Sequence, residues 1–501
     1  MTKTIQSKQF KAATISYLVF ALLSYLYMMV NDIHNYDTLV SMPEGDGAGL
    51  NVGRWMVYLL YWGKRKLLGT PWYNVGFINV LIALLLVWIA VILLLSILEI
   101  DEVSVAMSIA AITIANPCMV VAMVFHFVAI AYGLSFLLAV LGVWLVKKEK
   151  LTHFVLGAAC VGTGIAGYQA HFTVAAMLFA LLVIQLLVAK EKVGKVLASA
   201  AKYFAALICA YIFYMGVLRL LLWKTNTTLS GYQGADSMGK LDIDTLVTVI
   251  PKTYRNVFSL MHGNYVSLTG ARILNVCYGC VFLIVAIGIL LELINNQKAN
   301  WLRSLLLIFV MAIIPMVLDS IEIIAPKAHV YSLMGIALIG ICYLPFTMFR
   351  QGCIAQLMTR VSVVVVLLMS LTYVYITNVN MTAMHYNLEV AKQWNAALYE
   401  KAIQTEGYTA NSRICLIGDS FDNAPEDTFD IGELRYKGTE ISVNVYSKES
   451  LMRLYFGQRY SDVSQTDREK YADMIAEMGV FPDNDSVQVV DGKAFVKISN
   501  E

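Results

Sequence analysis

Eleven apolar runs dominate the first 380 positions of this 501-residue chain, at about 10–30, 74–98, 103–122, 127–146, 153–170, 172–189, 197–220, 271–294, 303–324, 330–349 and 361–379. A helix rising about 1.5 Å per residue needs about 20 such residues to cross about 30 Å of hydrocarbon, which is the length most of these runs have. Composition agrees: 58% of residues are hydrophobic, 14% are charged and mean hydropathy is +0.65, more apolar surface than a soluble core of this size hides. The expected fold is an all-α polytopic membrane protein of about eleven transmembrane helices.

Orientation follows from basic residues. Lys3, Lys8 and Lys11 precede the first run; Lys147, Lys148 and Lys150 follow the fourth; Lys190, Lys192 and Lys195 follow the sixth; Lys298, Arg303, Arg350 and Arg360 flank later turns. With eleven crossings all of these share one side, which the positive-inside bias makes cytoplasmic. The N-terminus is then cytoplasmic, and the first apolar run is an uncleaved span because it exceeds a signal core and no small-residue cleavage site follows. The loop 31–55, a second loop at about 223–269 and everything after Asn380 fall on the extracytoplasmic side of a plasma membrane.

A composition shift near Met381 divides the chain into a membrane domain, 1–380, and a soluble domain, 381–501. The latter holds 20 acidic against 12 basic residues. Helical spacing of apolar residues in 385–405 and 467–478, a strand pattern at 413–417 and two short runs flanking Asp491-Gly492 predict a small extracytoplasmic α/β domain. Its Gly418-Asp419-Ser420 resembles the nucleophile block of serine esterases, but no histidine follows His385 to serve as base, so a capped turn is the better reading. The eight cysteines lie almost entirely in or beside apolar runs, which argues against a disulfide framework, and Cys277-x-x-Cys280 reads as small residues at a helix interface.

The chemistry concentrates in Asn31 to Trp55, a polar loop at the mouth of the first span that carries Asp32, Asp37, Glu44 and Asp46. Glu44-Gly45-Asp46-Gly47 reads as a turn. Further polar clusters share that face: Asn116-Pro117 with His126, Tyr168-Gln169-Ala170-His171, and Asp319 with Glu322, Lys327 and His329. Each has a structural explanation: a helix break at the proline, side chains satisfying one another at an interface. Their convergence on one face favours a site. Glycosyl transfer from a lipid phosphate needs a base for the acceptor hydroxyl, which Asp37 or Asp32 can supply, and cationic or hydrogen-bonding groups for the departing phosphate, which Arg54, Lys327 and His329 can supply. Tyr168, Gln169 and His171 are candidates for contacting the substrate. Aromatic and basic residues in 51–68, and apolar residues at helical spacing in 231–260, suit helices lying at headgroup level.

Tyr36-Asp37-Thr38, Gly53-Arg54-Trp55, Asn116-Pro117, Tyr168-Gln169-Ala170 and the late loop before His329 together resemble the GtrII-type glucosyltransferases over most of 1–380. The resemblance implies a GT-C fold, a catalytic aspartate in the first outer loop, a polyprenyl-phosphate sugar as donor, and a bacterial cell-envelope polysaccharide or its lipid-linked precursor as acceptor. The family's acidic signature is often an adjacent Asp-Asp pair; here Asp32 and Asp37 are separate, so the choice of base stays open. No obligatory metal, cofactor or nucleic-acid partner is expected. The rival reading is a transporter or flippase of lipid-linked sugars, which needs a polar route through mid-membrane and often repeated or broken helices. A third is an envelope assembly protein whose acidic tail does the work.

Overall fold

The computed structural model describes residues 7–500 except 43, 44, 46–48, 72, 235–242, 263, 264, 266, 267, 269, 270, 297–300, 350–352, 419–428, 440–442, 444, 445, 458 and 459. Lys3, Glu44, Asp46, Gly47, Lys298, Arg350, Asp419 and Ser420 therefore lie outside the described residues.

The first part of the chain is helical: α1 (Ser7–Val30), α2 (Tyr36–Val40), α3 (Trp55–Leu68), α4 (Gly76–Ile97), α5 (Val103–Ala115), α6 (Pro117–Val124), α7 (Ala129–Lys147), α8 (Leu151–Gly167), α9 (His171–Val188), α10 (Val193–Thr225), α11 (Ile243–Ser259), α12 (Arg272–Asn296), α13 (Trp301–Leu318), α14 (Ser320–Ile324), α15 (Gly340–Met348) and α16 (Cys353–Gln404). All eleven expected runs are helical, but among the described residues eight helices are long and apolar enough to cross a membrane, and α5 with α6 makes a ninth, bent by 41°. The bend has a local cause. Pro117 cannot continue α5, and the Asn116 side chain caps the restart by accepting from Cys118 N at 2.9 Å. The other two runs, Leu151–Gly167 and Ser332–Met348, are shorter apolar helices. Seventeen α-helical residues, as in the first, reach only about 25 Å, less than the hydrocarbon thickness. The first stops where Tyr168 turns extended, and the second opens as a 3-10 segment kinked at Gly335.

Side chains that face outward from the bundle, such as Leu22, Ile212, Leu283 and Val364, are apolar and exposed, as lipid-facing positions must be. Inside, helices meet through small residues and hydroxyls. α7 and α8 approach so closely at Gly142 and Gly157 that a Cβ on either would stand 2.6 or 2.7 Å from the other's carbonyl oxygen. Tyr17 and Tyr25 of α1 donate to the carbonyls of Leu84 and Ile114 at 2.6 and 2.8 Å, and Tyr278 bonds Tyr373 at 2.8 Å. All eight cysteines are free thiols, Cys277 and Cys280 included.

The bundle has two distinct ends. At one, Gln9 bonds Asp101 O, Lys147 pairs with Glu99 at 2.7 Å, Lys202 bonds Lys148 O and Arg303 bonds the carbonyls of Lys190 and Glu191. This is where the basic turns gather. At the other, the loop after α1 meets the turns at 124–128 and 168–171, residue 230, and the segment 325–332.

α16 runs unbroken for 52 residues, through position 381 and into the C-terminal domain. There β1 (Arg413–Ile417), α17 (Lys448–Phe456), β2 (Tyr460–Asp462), α18 (Gln465–Lys470), α19 (Ala472–Glu477), β3 (Val487–Val490) and β4 (Lys493–Lys497) form an α/β unit. Its sheet has the order β2-β1-β4-β3, with β1 parallel to both neighbours and β3 antiparallel to β4. The β3–β4 turn is Asp491-Gly492, both at positive φ, as a two-residue hairpin matched to strand twist requires.

Candidate active site

α2 is little more than one turn, and its position is fixed by capping. Asn35 Oδ1 accepts from Thr38 N at 3.2 Å and from Thr38 Oγ1 at 3.0 Å, while Thr38 Oγ1 also donates to Val124 O at 3.3 Å. Thr38 and Leu39 are fully buried, which turns the half-buried Asp37 toward the mouth of the bundle. Partial burial raises the Asp37 carboxyl above its ordinary value, and the Arg54 guanidinium pulls against that rise.

Arg54 is placed by the turn before it. Gly53 adopts φ +80 with Tyr214 Oη donating to its carbonyl at 3.0 Å, and a Cβ there would stand 2.5 Å from that hydroxyl. Gln169 Nε2 donates to Val52 O at 2.7 Å, and Trp55 Nε1 donates to Tyr214 O at 3.2 Å. Clamped so by α10 and the 168–171 turn, the Arg54 guanidinium lies 4.9 Å over the Tyr168 ring, and its buried Nε has no hydrogen-bond partner among the described residues. Tyr132 packs on Tyr168 at 4.7 Å, and Tyr232 approaches both. Tyr36, next to Asp37, hydrogen-bonds Tyr331, whose ring is 4.9 Å from that of His329.

The expected site residues therefore sort into groups. Asp37, Arg54 and Tyr168 come together. Gln169 joins them through its hold on the Arg54 turn, and buried His171 lies behind Tyr168, its Nδ1 3.3 Å from the Tyr168 carbonyl. Lys327 and His329 are exposed on the segment that leads to Tyr331.

Asp32 occupies a different environment. Its Oδ1 is 3.4 Å from Nδ1 of the fully buried His126, within ion-pair range, and among the described residues His126 has no closer side-chain hydrogen-bond partner. Gly76, the first residue of α4, makes room for the pair, since a Cβ there would stand 2.4 Å from each of them. The His126 imidazole holds the Asp32 carboxyl below its ordinary value, with His34 and Lys392 assisting. Burial, with His126 close by, lowers the buried His34 imidazole to about 4.

A further arrangement keeps the expected pair Asp319 and Glu322 together and joins it to Lys252, Asn256 and Tyr265, which the sequence did not group with it. Asp319, one residue past α13, and Glu322 of α14 are buried together. Asn256 Nδ2 donates to Asp319 Oδ2 at 2.8 Å, Tyr265 Oη donates to Asp319 Oδ1 at 2.6 Å, and Lys252 pairs with Glu322 at 2.7 Å. Burial pushes the Asp319 carboxyl up to about 7 against the pull of the Tyr265 and Asn256 donors, with the Glu322 carboxylate adding to the rise. Lys252 and Asn256 sit four apart on the amphipathic α11, a spacing visible in the sequence; nothing there marked Tyr265. Among the described residues no three His, Cys, Asp or Glu side chains converge as metal ligands would.

A family model described as glucosyl transferase GtrII matches residues 26–342, which takes in α2, Arg54, the 168–171 turn and the Asp319 cluster. Comparison with curated proteins and with solved structures gave no match.

Proposed function

This chain belongs to the glucosyl transferase GtrII family, and from that premise we propose that it moves a hexose, glucose by its membership, from a polyprenyl-phosphate donor to a cell-envelope polysaccharide or its lipid-linked precursor. The observation that carries the proposal is that the half-buried Asp37 lies within the electrostatic reach of the Arg54 guanidinium, which the turn at Val52 and Gly53 and the Tyr168 ring hold in place. The fold is read as GT-C-like. The plasma membrane is taken as bacterial, with the lysine-rich end of the bundle cytoplasmic and the Asp37 end and C-terminal domain extracytoplasmic.

In this mechanism Asp37 accepts the proton of an acceptor hydroxyl as its oxygen attacks the anomeric carbon. The bond from that carbon to the phosphate oxygen breaks, and polyprenyl phosphate leaves with its new charge met by Arg54, whose fork suits phosphate oxygens. Lys327 and His329 meet the phosphate from the 325–331 segment. Tyr168, Gln169 and His171 form the substrate-binding side by supporting Arg54, Tyr168 through its ring, Gln169 through its hold on Val52 and His171 from behind Tyr168. The amphipathic α11 and the aromatic α3 frame a lateral way in for the lipid. One displacement inverts the anomeric centre.

The test is purified protein in vesicles with a panel of polyprenyl-phosphate sugars, scoring released lipid phosphate and the product's anomeric configuration by NMR. Release from the glucosyl donor with inversion is expected. Retention of configuration would remove the single displacement, and movement of intact sugar lipid across the vesicle without release would favour a transporter.

A further inference from the structure

The C-terminal domain, which lies outside the family match, reaches back to the helix that carries Asp37. α17 has two occupied faces. Met452 enters the core of the C-terminal domain with Ile414 and Leu416 of β1, and the buried Lys448 ties the helix to the same sheet through Asp462 at 3.0 Å and Gly418 O at 3.0 Å. The neighbouring Leu451 points elsewhere. It is fully buried against Leu39 of α2 and Leu388 of α16.

A second tie lies in the segment 434–439. Asn380 of α16 donates to Leu434 O at 2.8 Å, and its Oδ1 accepts from Tyr436 N at 2.9 Å and from Thr439 Oγ1 at 2.8 Å. The Tyr436 side chain is buried inside the membrane bundle, with its hydroxyl 3.3 Å from that of Thr377. From this anchor Lys437 O accepts from Ser332 N at 3.0 Å, behind Tyr331, which bonds Tyr36 beside Asp37. Both ends of so short a helix as α2 are thus braced by the C-terminal domain, on one side through Leu39 and on the other through Tyr36.

We infer that the C-terminal domain is a positioning element of the catalytic site: Leu451, set by α17, and the Asn380–Tyr436 lock hold α2 so that Asp37 faces the acceptor. The inference rests on the reading of Asp37 as base. A base on so short a helix loses rate steeply when the helix shifts, since displacement on the order of 1 Å can cost about a hundredfold. Donor binding through Arg54, which other elements clamp, is untouched by that shift.

The experiment uses the full chain in vesicles, comparing Leu451→Ala, Leu451→Val and Leu451→Met with wild type. Expected for Leu451→Ala is a fall in kcat of about ten- to a hundredfold with the KM for polyprenyl-phosphate glucose unchanged. The acidic limb of the kcat profile should move to lower pH as Asp37 becomes hydrated. Amide hydrogen exchange at 38–41 should quicken, and Leu451→Met, which conserves volume, should restore all three. Leu451→Val gives the same signs at smaller amplitude if the alanine variant fails to accumulate. Unchanged exchange at 38–41, or an equal loss in kcat and donor affinity with no movement of the acidic limb, overturns the inference. Asp37→Asn keeps the two questions apart. If that variant is active the base assignment fails, while exchange at 38–41 in Leu451→Ala still decides whether the C-terminal domain holds α2.

Discussion

Two aspartates of one loop sit in opposite surroundings, and the proposed division of their roles rests on that difference. Asp32 faces His126 and the start of α4, where a carboxylate is stabilised as an anion and is correspondingly a weak base. Asp37 is half-buried with one opposing guanidinium, which leaves it more basic. Asp32→Asn should therefore retain transfer and cost about 0.3–1 kcal/mol of stability by thermal unfolding; loss of transfer with normal folding would move the base to Asp32. For Asp37 the active form is the carboxylate, so the rate should fall as pH drops through a value above 3.8. Arg54→Gln removes the group that lowers that value, so its acidic limb should lie at higher pH than the wild type's. A limb that stays in place would separate Arg54 from Asp37 electrostatically.

α11 and α14 meet at Asp319, whose buried carboxyl holds a proton unusually tightly. Because the Asp319 value is raised in the folded protein, its contribution to stability is complete below the unfolded value of about 3.8 and is lost as pH rises through about 7. Stability in detergent should decline between pH 5 and 8, by no more than about 1.4 kcal/mol per pH unit for one proton. Asp319→Asn should flatten that decline, and an identical slope in the variant would place its origin elsewhere. α17 makes a packing prediction of the same kind. Leu451→Ala should lower thermal stability by about 2–5 kcal/mol, as truncation of a fully buried leucine does.

For the whole molecule, what the sequence revealed was periodic or local. Apolar runs located the helices, because lipid demands length and hydrophobicity in one segment, and the Asp491-Gly492 hairpin was legible from turn chemistry alone. Helix ends were not, since the stop at Gly167 and the 3-10 opening at Ser332 move two helix boundaries without changing their composition. Asp37, Arg54 and Tyr168 were visible as polar residues at span ends. Their separation from Asp32, the role of Gln169 as a clamp on Val52, and the partnership of Tyr265 with Asp319 depend on long-range packing that no spacing encodes. The same holds for Leu451 on Leu39, contributed from more than 400 positions away. The arrangement of ends predicts opposite labelling by a membrane-impermeant maleimide in intact cells, in a background lacking the exposed Cys209 and Cys353. Glu477→Cys should react and Lys195→Cys should not; the reverse pattern would invert the orientation.

Whether Asp37 is the base in a transfer from a lipid phosphate is decided by release of polyprenyl phosphate from polyprenyl-phosphate glucose, with acceptor present, by purified wild type and Asp37→Asn. A loss of about a hundred- to ten-thousandfold in the variant, with its folding and donor affinity intact, is the result expected of removing a general base. Release by Asp37→Asn at the wild-type rate would contradict it.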